Sequence, residues 1–474
     1  MVDIKHRLID GVVRLTEDEQ RFLSRLRTVA RIGKFVAPAP GHRHQLRLLE
    51  WAIDHDHAAI QLVRRIVHNC NRNYLRSIAG LFVEHGWEGY RQRRRMEALH
   101  KVGIPSFIVI SPLARCNLNC VGCYAGAYGD REPFLSYQDM TRLIDETRTW
   151  GSRFVTISGG EPTIFWDKIP GDTRGLRDLF AQYSDMTFLM YTNGTLIDDE
   201  MAADMAELGN VAPGISVEGF RAETDGRRGE GVFDRIVAAM DVLRSRGVLF
   251  GASVTYTSQN WETVASEQFI DFLLDSGCIF AWYFMYVPVG RAPDLSLMVT
   301  PEQRRAMCQT TWRWLTTRPI FVADFWNSGV LTKGCIAAGR SAGYLHVTHR
   351  GDICPCVFML YSAHNLHDTD SPTPLLDAVK SDFFAQIREG QRERQHNPLA
   401  PCQIVDHPEV LKCAVESTGA RDTQEGQRIL GDLHEEVARR AAQWNEIADE
   451  LWTRSGVYTG FRETYRDGGW LPPG

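Results

Sequence analysis

Six short apolar segments follow one another between residues 104 and 290, and helical segments separate them. Each has the length of a strand and is rich in Val, Ile, Phe and Tyr, which favour extended structure. They are residues 107–110, 153–158, 187–191, 211–217, 249–256 and 280–287. This alternation predicts right-handed β–α–β units and a parallel sheet. Because six units are too few for a closed eight-stranded barrel, we expect an α/β fold with a partial (β/α)6 barrel.

The regions on either side of these segments lack the alternation. The first hundred residues have helical periodicity, and Thr16 with Glu19 forms a capping-box signal. A last amphipathic helix is predicted near residues 425–452. We therefore expect a helical N-terminal region, the barrel, an irregular cysteine-containing region, and a C-terminal helix with a tail. The predicted bounds are residues 1–103, 104–325, 326–420 and 421–474.

Composition narrows the class of protein. The chain has 474 residues, a net charge of −6 and eleven cysteines. No apolar run approaches the roughly 18 residues of a membrane span, and charges interrupt the apolar residues of the N-terminus. We expect a cytoplasmic protein with no nucleic-acid partner. In that compartment cysteines tend to be metal ligands or redox groups rather than disulfides.

Three cysteines follow the first predicted strand on one short loop. Cys116, Cys120 and Cys123 have the spacing C-x3-C-x2-C. Three such thiolates suit three irons of a [4Fe–4S] cluster and leave the fourth iron open. A tetrahedral zinc site would need a fourth ligand, and the next cysteine is Cys278. We favour an iron–sulfur cluster over zinc or a structural role.

Further motifs lie just past the later strands. They are Ser158-Gly159-Gly160-Glu161-Pro162, Tyr191-Thr192-Asn193-Gly194, Ile215-Ser216-Val217-Glu218-Gly219 and Asp225-Gly226-Arg227-Arg228-Gly229. In this order, and together with the cysteine loop, they resemble the radical S-adenosylmethionine (radical SAM) superfamily. The resemblance covers residues 104–290.

The resemblance implies a site for a [4Fe–4S] cluster and S-adenosylmethionine (SAM). Cys116, Cys120 and Cys123 would hold the cluster, and the GGEP-like motif would receive the methionine amino group through its backbone and carboxylate. The family has an aromatic residue before the third cysteine, where this chain has Gly122, so Tyr124 is the candidate for ring packing near adenine. The implied cofactor-binding residues are Tyr124, Gly159, Gly160, Glu161, Thr192, Asn193, Ser216, Glu218 and Arg228.

A second set of cysteines follows the barrel. Hairpin-like strands near residues 343–347 and 352 would bring Cys335 to Cys354 and Cys356, with Cys402 as a fourth ligand. The four thiolates suit a second [4Fe–4S] cluster or a zinc site. The arrangement resembles the extension called SPASM or, in its one-cluster form, twitch. Cys413 is the reserve ligand if Cys402 is only a buried residue, and three cysteines are assigned to the core: Cys70, Cys278 and Cys308.

Catalytic side chains are less well marked. Arg291 follows the sixth strand and Asp324 precedes the second cysteine set, so both are candidates for the catalytic rim. Each is equally well explained as a structural salt-bridge or capping residue. His346 and His349 could act as acid or base groups, but surface positions are favoured for both.

The resemblance also implies a function. Reductive cleavage of SAM would give a 5′-deoxyadenosyl radical, which would abstract hydrogen from a substrate C–H bond, with a flavodoxin or ferredoxin as reductant. We expect oxidation, dehydration or C–C coupling of a lipid or small metabolite. Residues 61–101 hold nine Lys and Arg against three acids, which suits either contact with an acidic membrane or a solvated helix face. The alternatives are a ribosomal-peptide maturase and a non-catalytic iron–sulfur carrier.

Overall fold

The computed structural model describes residues 19–36, 40–126, 132–393, 397–424, 426 and 428–459. The predicted cap residue Thr16 lies outside them. The described N-terminal part is helical, as predicted. Its helices are α1 (Glu19–Val36), α2 (Pro40–Asp54), α3 (Ala58–Asn69), α4 (Arg72–Gly80), a π-helix (Leu81–Gly89) and α5 (Tyr90–His100). None of the described helices has the length and apolar character needed to span a bilayer.

All six predicted strands are present, and each pairs in parallel with the next in chain order. They are β1 (Phe107–Ile110), β2 (Phe154–Ile157), β3 (Thr187–Thr192), β4 (Val211–Ser216), β5 (Gly251–Tyr256) and β6 (Phe280–Met285). Their carboxyl ends therefore meet at one edge of the sheet, where the cysteine loop and the later motifs also lie. The predicted α/β partial barrel is confirmed.

The sheet continues on both sides beyond these six strands. β7 (Phe321–Asp324) pairs in parallel with β6, and β8 (Tyr344–Val347) pairs in parallel with β1. The predicted hairpin is present, because β8 pairs antiparallel with β9 (Asp352–Cys354). The remaining strands are β10 (Tyr361–Ser362), β11 (His364–Asn365) and β12 (Arg421–Asp422). The region that holds the second cysteine set is thus joined to the barrel by main-chain hydrogen bonds.

Helices cover the outer face of the sheet and the C-terminal region. Between the strands lie α6 (Tyr137–Thr149), α7 (Leu176–Gln182), α8 (Asp199–Leu208), α9 (Arg221–Arg228), α10 (Val232–Ser245), α11 (Trp261–Val264), α12 (Glu267–Asp275) and α13 (Pro301–Thr317). After them come α14 (Gly329–Thr332), α15 (Pro374–Lys380), α16 (Asp382–Glu393), α17 (Pro408–Thr418) and α18 (His434–Arg454). The Ser136–Asp139 capping box begins α6.

Alternate residues of the strands face opposite sides of the sheet. Those on the outer face, such as Ile108 and Ile157, are completely buried. Those on the inner face line a cavity instead, and several of them are only partly buried, including Phe154, Ser253 and Trp282. The barrel interior is therefore a lined space rather than a filled core.

The basic N-terminal segment is less uniform than its sequence suggests. Arg93 is buried and donates from Nη1 to the Gly151 carbonyl and from Nη2 to the His85 carbonyl, both at 3.0 Å. Arg65 likewise donates to main-chain carbonyls of the barrel. Both arginines therefore dock the helices onto the barrel. Three other arginines of α5 remain exposed: Arg91, Arg94 and Arg95.

Candidate functional site

One cavity of about 570 Å³ occupies the barrel interior, and residues at the carboxyl ends of the strands line part of it. Cysteines from both sets line it. From the first set these are Cys116, Cys120 and Cys123, and from the second they are Cys335, Cys356 and Cys402. The fold thus brings six of the seven predicted ligands to one space.

Polar donors surround the thiols of the first set. The Leu118 N–H donates to Cys116 Sγ at 3.4 Å, and Arg228 Nη1 lies 3.8 Å from Cys120 Sγ. Burial raises the pKa of Cys116 to about 11, so a thiolate at this position needs compensating charge. Bound iron would supply that compensation together with these donors, and the loop therefore suits a ligated cluster.

The two glycines of the GGEP-like motif allow the second loop to pack against the cysteine loop. A Cβ on Gly159, whose φ is +108°, would lie 2.5 Å from the Leu113 carbonyl oxygen. A Cβ on Gly160 would lie 2.1 Å from the Arg115 carbonyl oxygen. Sequence analysis predicts that such glycines bind the ligand, and both do line the cavity. Glycine is needed at both positions, however, because any larger residue would prevent the close contact between these two loops.

Glu161 is placed differently from its predicted role. Its carboxylate is completely buried and accepts hydrogen bonds from the Thr163 N–H, the Thr163 and Thr192 hydroxyls, and the Asn193 N–H, at 2.6–3.1 Å. It is not among the described residues that line the cavity. Direct contact of this carboxylate with a methionine amino group is therefore not what the structure shows. Glu161 instead ties the loop after β2 to the loop after β3.

A buried ion-pair group lies below the second cysteine of the loop. Glu218 accepts from Arg227 Nη1 at 2.7 Å and from Arg228 Nη2 at 2.6 Å. Burial acts to raise the pKa of Glu218, but the two arginines outweigh it and the pKa lies below its ordinary value. Arg228 also reaches Cys120, whereas Glu218 does not line the cavity. Glu218 therefore positions the arginines, and Arg227 is a site residue absent from the predicted set.

The glycine before the third cysteine has a structural explanation. Gly122 has a φ of +62°, and a Cβ there would lie 2.6 Å from Cε2 of Tyr286. The Tyr286 ring, which follows β6, thus occupies the space where a side chain at this position would start. Tyr124 also lines the cavity, donating or accepting a 2.7 Å hydrogen bond with Ser158 Oγ. Two tyrosines therefore flank the cysteine loop.

Three cysteines of the second set have similar surroundings, because the residue two positions after each one, which for Cys335 is Ala337, gives its sulfur a main-chain hydrogen bond. Phe358 N–H donates to Cys356 Sγ and Ile404 N–H to Cys402 Sγ, each at 3.4 Å. In both cases the donor lies two residues after the cysteine, as it does at Cys116. The Tyr344 hydroxyl lies 3.0 Å from Cys356 Sγ. Hydrogen bonds to sulfur stabilise thiolates, so this environment also suits ligated iron.

Cys354 is placed apart from these three. It is completely buried, its thiol is hydrogen-bonded to the Thr423 side chain, and it is not among the described residues that line the cavity. The structure thus departs from the predicted gathering of Cys335, Cys354, Cys356 and Cys402. The reserve ligand Cys413 is exposed on α17, and the three predicted core cysteines are buried.

Asp324 and Arg291, the two catalytic candidates, are both held by other groups of the protein. Asp324 lines the cavity but accepts from Asn327 Nδ2 at 2.7 Å and from Tyr256 Oη at 3.2 Å. Burial raises the pKa of Asp324 even though these donors act in the opposite direction. The Arg291 N–H donates to the Cys123 carbonyl at 2.9 Å and its Nε to the Gly126 carbonyl at 2.7 Å. Arg291 therefore fastens the cysteine loop.

The two predicted surface histidines are buried instead. Burial lowers the pKa of His346 to about 3, and its Nε2 lies 2.8 Å from Ser111 Oγ. His349 is also buried, and its Nε2 lies 3.5 Å from a Glu132 carboxylate oxygen. Their burial was not predicted, because β8 was not expected to pair with β1.

Known proteins are similar to this chain in sequence. A family model described as the radical SAM superfamily matches residues 110–270. The Fe-coproporphyrin III synthase of Methanosarcina barkeri is 36% identical over 157 residues, 32% of this chain and 37% of that protein. The mycofactocin maturase of Mycolicibacterium smegmatis is 30% identical over 300 residues, 58% of this chain and 70% of the relative. The chain belongs to the radical SAM superfamily.

A solved structure shows the same fold. SuiB of Streptococcus suis superposes with a TM-score of 0.50 at 19% identity, over 63% of this chain and 71% of that chain. Among the sequence relatives, the Fe-coproporphyrin III synthase is matched over little more than a third of its own length. The resemblance to radical SAM enzymes with a SPASM/twitch-like extension is confirmed.

A [4Fe–4S] cluster and SAM are the cofactors of this family, and SPASM-type members carry additional clusters. Thiols with N–H donors, in two groups, provide the donor set that such clusters need. Among the described residues, no three His, Cys, Asp or Glu side chains come close enough to bind one metal ion. Each thiolate of a cubane cluster binds a different iron, so its ligands need not converge on one point.

Proposed function

We propose that this protein reductively cleaves SAM and abstracts hydrogen from a C–H bond of an apolar substrate, a lipid or small metabolite. The observation that carries this proposal is the single cavity into which both cysteine sets and the inner faces of the strands open. The outcome of the reaction would be oxidation, dehydration or C–C coupling.

The first cysteine set is proposed to hold the cluster that binds SAM. When bound, these cofactors supply a 5′-deoxyadenosyl radical that abstracts hydrogen. Cys116, Cys120 and Cys123 would anchor the irons, and the loop is kept in place by Arg291. Arg228 is positioned by Glu218 to place positive charge beside Cys120.

The remaining predicted contacts with SAM divide into two groups. Gly159, Gly160, Thr192, Asn193 and Ser216 line the cavity and are proposed to contact SAM directly. Glu161 and Glu218 would act through the residues they hold. Tyr124 and Tyr286 both flank the cysteine loop, and we assign the adenine-facing ring to one of these two.

The second cysteine set is proposed to hold an auxiliary [4Fe–4S] cluster. Cys335, Cys356 and Cys402 are the ligands that the cavity wall favours. Cys354 was predicted as one of the four ligands, and its position beside Thr423 disfavours that role. An external reductant such as a flavodoxin or ferredoxin would supply electrons.

A peripheral membrane contact is proposed for the N-terminal helices. Phe82 and Trp87 of the π-helix are exposed, and Arg91, Arg94 and Arg95 follow on α5. Exposed aromatic residues beside arginines are typical of surfaces that bind anionic lipids. This contact would bring a lipid substrate to the protein.

A peptide maturase is the second candidate, since one of the relatives is a maturase. A non-catalytic iron–sulfur carrier is the third, but a carrier has no use for the GGEP-like loop or for the Glu218–Arg228 group. Substrate profiling with an apolar lipid and with a peptide, each followed by mass spectrometry, separates the first two.

Formation of 5′-deoxyadenosine tests the proposed function. The protein is reconstituted anaerobically, SAM and dithionite are added, and the product is measured by chromatography. We expect 5′-deoxyadenosine from the wild type and none above background from Cys120→Ala, with Cys70→Ala as the matched control. No product from protein with a full complement of iron would refute the enzyme proposal and support the carrier.

A further inference from the structure

The cavity extends from the cysteine loop through the barrel to the opposite end of the strands. Phe107, Phe154 and Phe321 are the first residues of β1, β2 and β7, and all three line the same cavity as Cys116. Ser106 and His85 line it as well. Along β2 and the residue that follows it, the inward-facing residues 154, 156 and 158 alone span about 13 Å. The cavity is therefore a channel with a second end at the amino-terminal side of the barrel.

The middle of this channel is lined by uncharged side chains that are either small or apolar. Four inward-facing residues illustrate this: Thr156, Leu189, Ser253 and Ala323. Aromatic rings form much of the remaining wall, including Trp282, Phe284 and Phe325. Such a surface gains free energy by excluding water from a hydrocarbon chain.

Charged groups are confined to the end near the cysteines. Among the described lining residues, the Asp, Glu, Lys and Arg side chains are Arg227, Arg228 and Asp324, and each is bonded to other groups of the protein. His85, near the far end, is neutral because burial lowers its pKa to about 3. A carboxylate or a peptide terminus would lose its hydration in the channel without gaining a charged partner.

We infer that the channel binds a long hydrocarbon chain of the substrate, with the reacting carbon near Cys116 and the rest of the chain directed toward Phe321. This inference rests on the proposed function and specifies its substrate class. The far end supports it, since His85 belongs to the π-helix that exposes Phe82, and Phe321 itself is 40% exposed. A chain that leaves the channel there meets an exposed apolar surface.

Calorimetry of n-alkanol binding tests the inference. The alkanols are saturated, with eight to fourteen carbons, and the protein is reconstituted and supplied with SAM. Each buried methylene should lower Kd about fourfold, so affinity should rise steadily with chain length. Ser253→Phe, which fills the channel, should remove this dependence. Ser245→Phe adds the same ring at an exposed helix position and should retain it. Ala323→Leu, a smaller change, should end the dependence at a shorter chain.

Equal Kd values for all chain lengths, or the same dependence in Ser253→Phe and Ser245→Phe, would overturn the channel. If Ser253→Phe fails to fold, Ala323→Leu takes its place, and a chain-length dependence equal to that of the wild type would overturn the channel. The readout is separate from that of the proposed function. Protein that forms 5′-deoxyadenosine without any chain-length dependence refutes only the channel, and protein that binds alkanols without cleaving SAM refutes only the radical enzyme.

Discussion

Two groups of cysteines reach one cavity from very different arrangements in the chain. Cys116, Cys120 and Cys123 lie within eight residues on a loop after the first strand. Cys335, Cys356 and Cys402 come from three separate segments, of which the first two flank the β8–β9 hairpin that joins the barrel sheet. The first group is therefore a local feature of the sequence, whereas the second is a product of the fold.

The two groups also differ in their electrostatic surroundings. Arg228 places a charged guanidinium beside Cys120, and Glu218 holds it there. Around Cys356 and Cys402 the donors are main-chain N–H groups and the Tyr344 hydroxyl. A charged donor stabilises a thiolate more than a neutral one. We infer that the first site is adapted to bind a charged ligand. The second is adapted to hold a cluster in the cavity wall, away from water.

Single substitutions in the second group should produce the largest difference. Cys356→Ala should lose the auxiliary cluster, about four irons per chain, because its thiol lines the cavity. Cys354→Ala should keep that iron, since its thiol is bonded to Thr423. Iron analysis after anaerobic reconstitution measures both, with exposed Cys413→Ala as the control. Equal iron loss in Cys354→Ala would restore Cys354 as a cluster ligand, as the sequence predicts.

A substitution below the first group should have an intermediate effect. Glu218→Ala leaves two largely buried arginines without their carboxylate and should lower the free energy of unfolding by about 3–5 kcal/mol. Asp234→Ala breaks an exposed pair with Arg221 and should cost at most about 1 kcal/mol. Anaerobic denaturant unfolding compares the two variants. Similar losses would show that the Glu218 group is not shielded from water.

The smallest effect is expected at the tyrosine beside the second group. Tyr344→Phe removes a hydroxyl 3.0 Å from Cys356 Sγ and should cost about 1 kcal/mol of stability. With the hydroxyl donating to sulfur, its loss should also lower the reduction potential of the auxiliary cluster, because the added electron loses a stabilising dipole. A redox titration followed by EPR measures this shift. An unchanged potential, matching that of Tyr361→Phe, would exclude the hydroxyl as a cluster contact.

Much of the barrel was predictable because its signals are local. Apolar runs of strand length, the cysteine spacing and the motifs after each strand all lie in short stretches, and all six strands form as predicted. The predicted domain boundary near residue 326 depends on contacts between distant residues, which a local pattern does not show. β8 joins the barrel sheet through a pairing of residues more than 200 apart, for example Val109 with His346. No local pattern indicates such a contact.

Side-chain roles were predicted less well than positions. Glu161 and Glu218 were expected at the ligand, yet both are saturated by neighbouring donors of the protein. Tyr286 was not expected at all, because its ring meets Gly122 only across the barrel. A motif shows which residues come to a site, but hydrogen-bond partners from distant segments determine which way each side chain faces.

We propose that two iron–sulfur sites share one cavity. Iron content and EPR of the Cys116→Ala/Cys120→Ala/Cys123→Ala protein, reconstituted anaerobically, test this most directly. We expect that about four irons per chain remain, with the EPR signal of one reduced [4Fe–4S] cluster. Protein with no iron, or with zinc in its place, would contradict it.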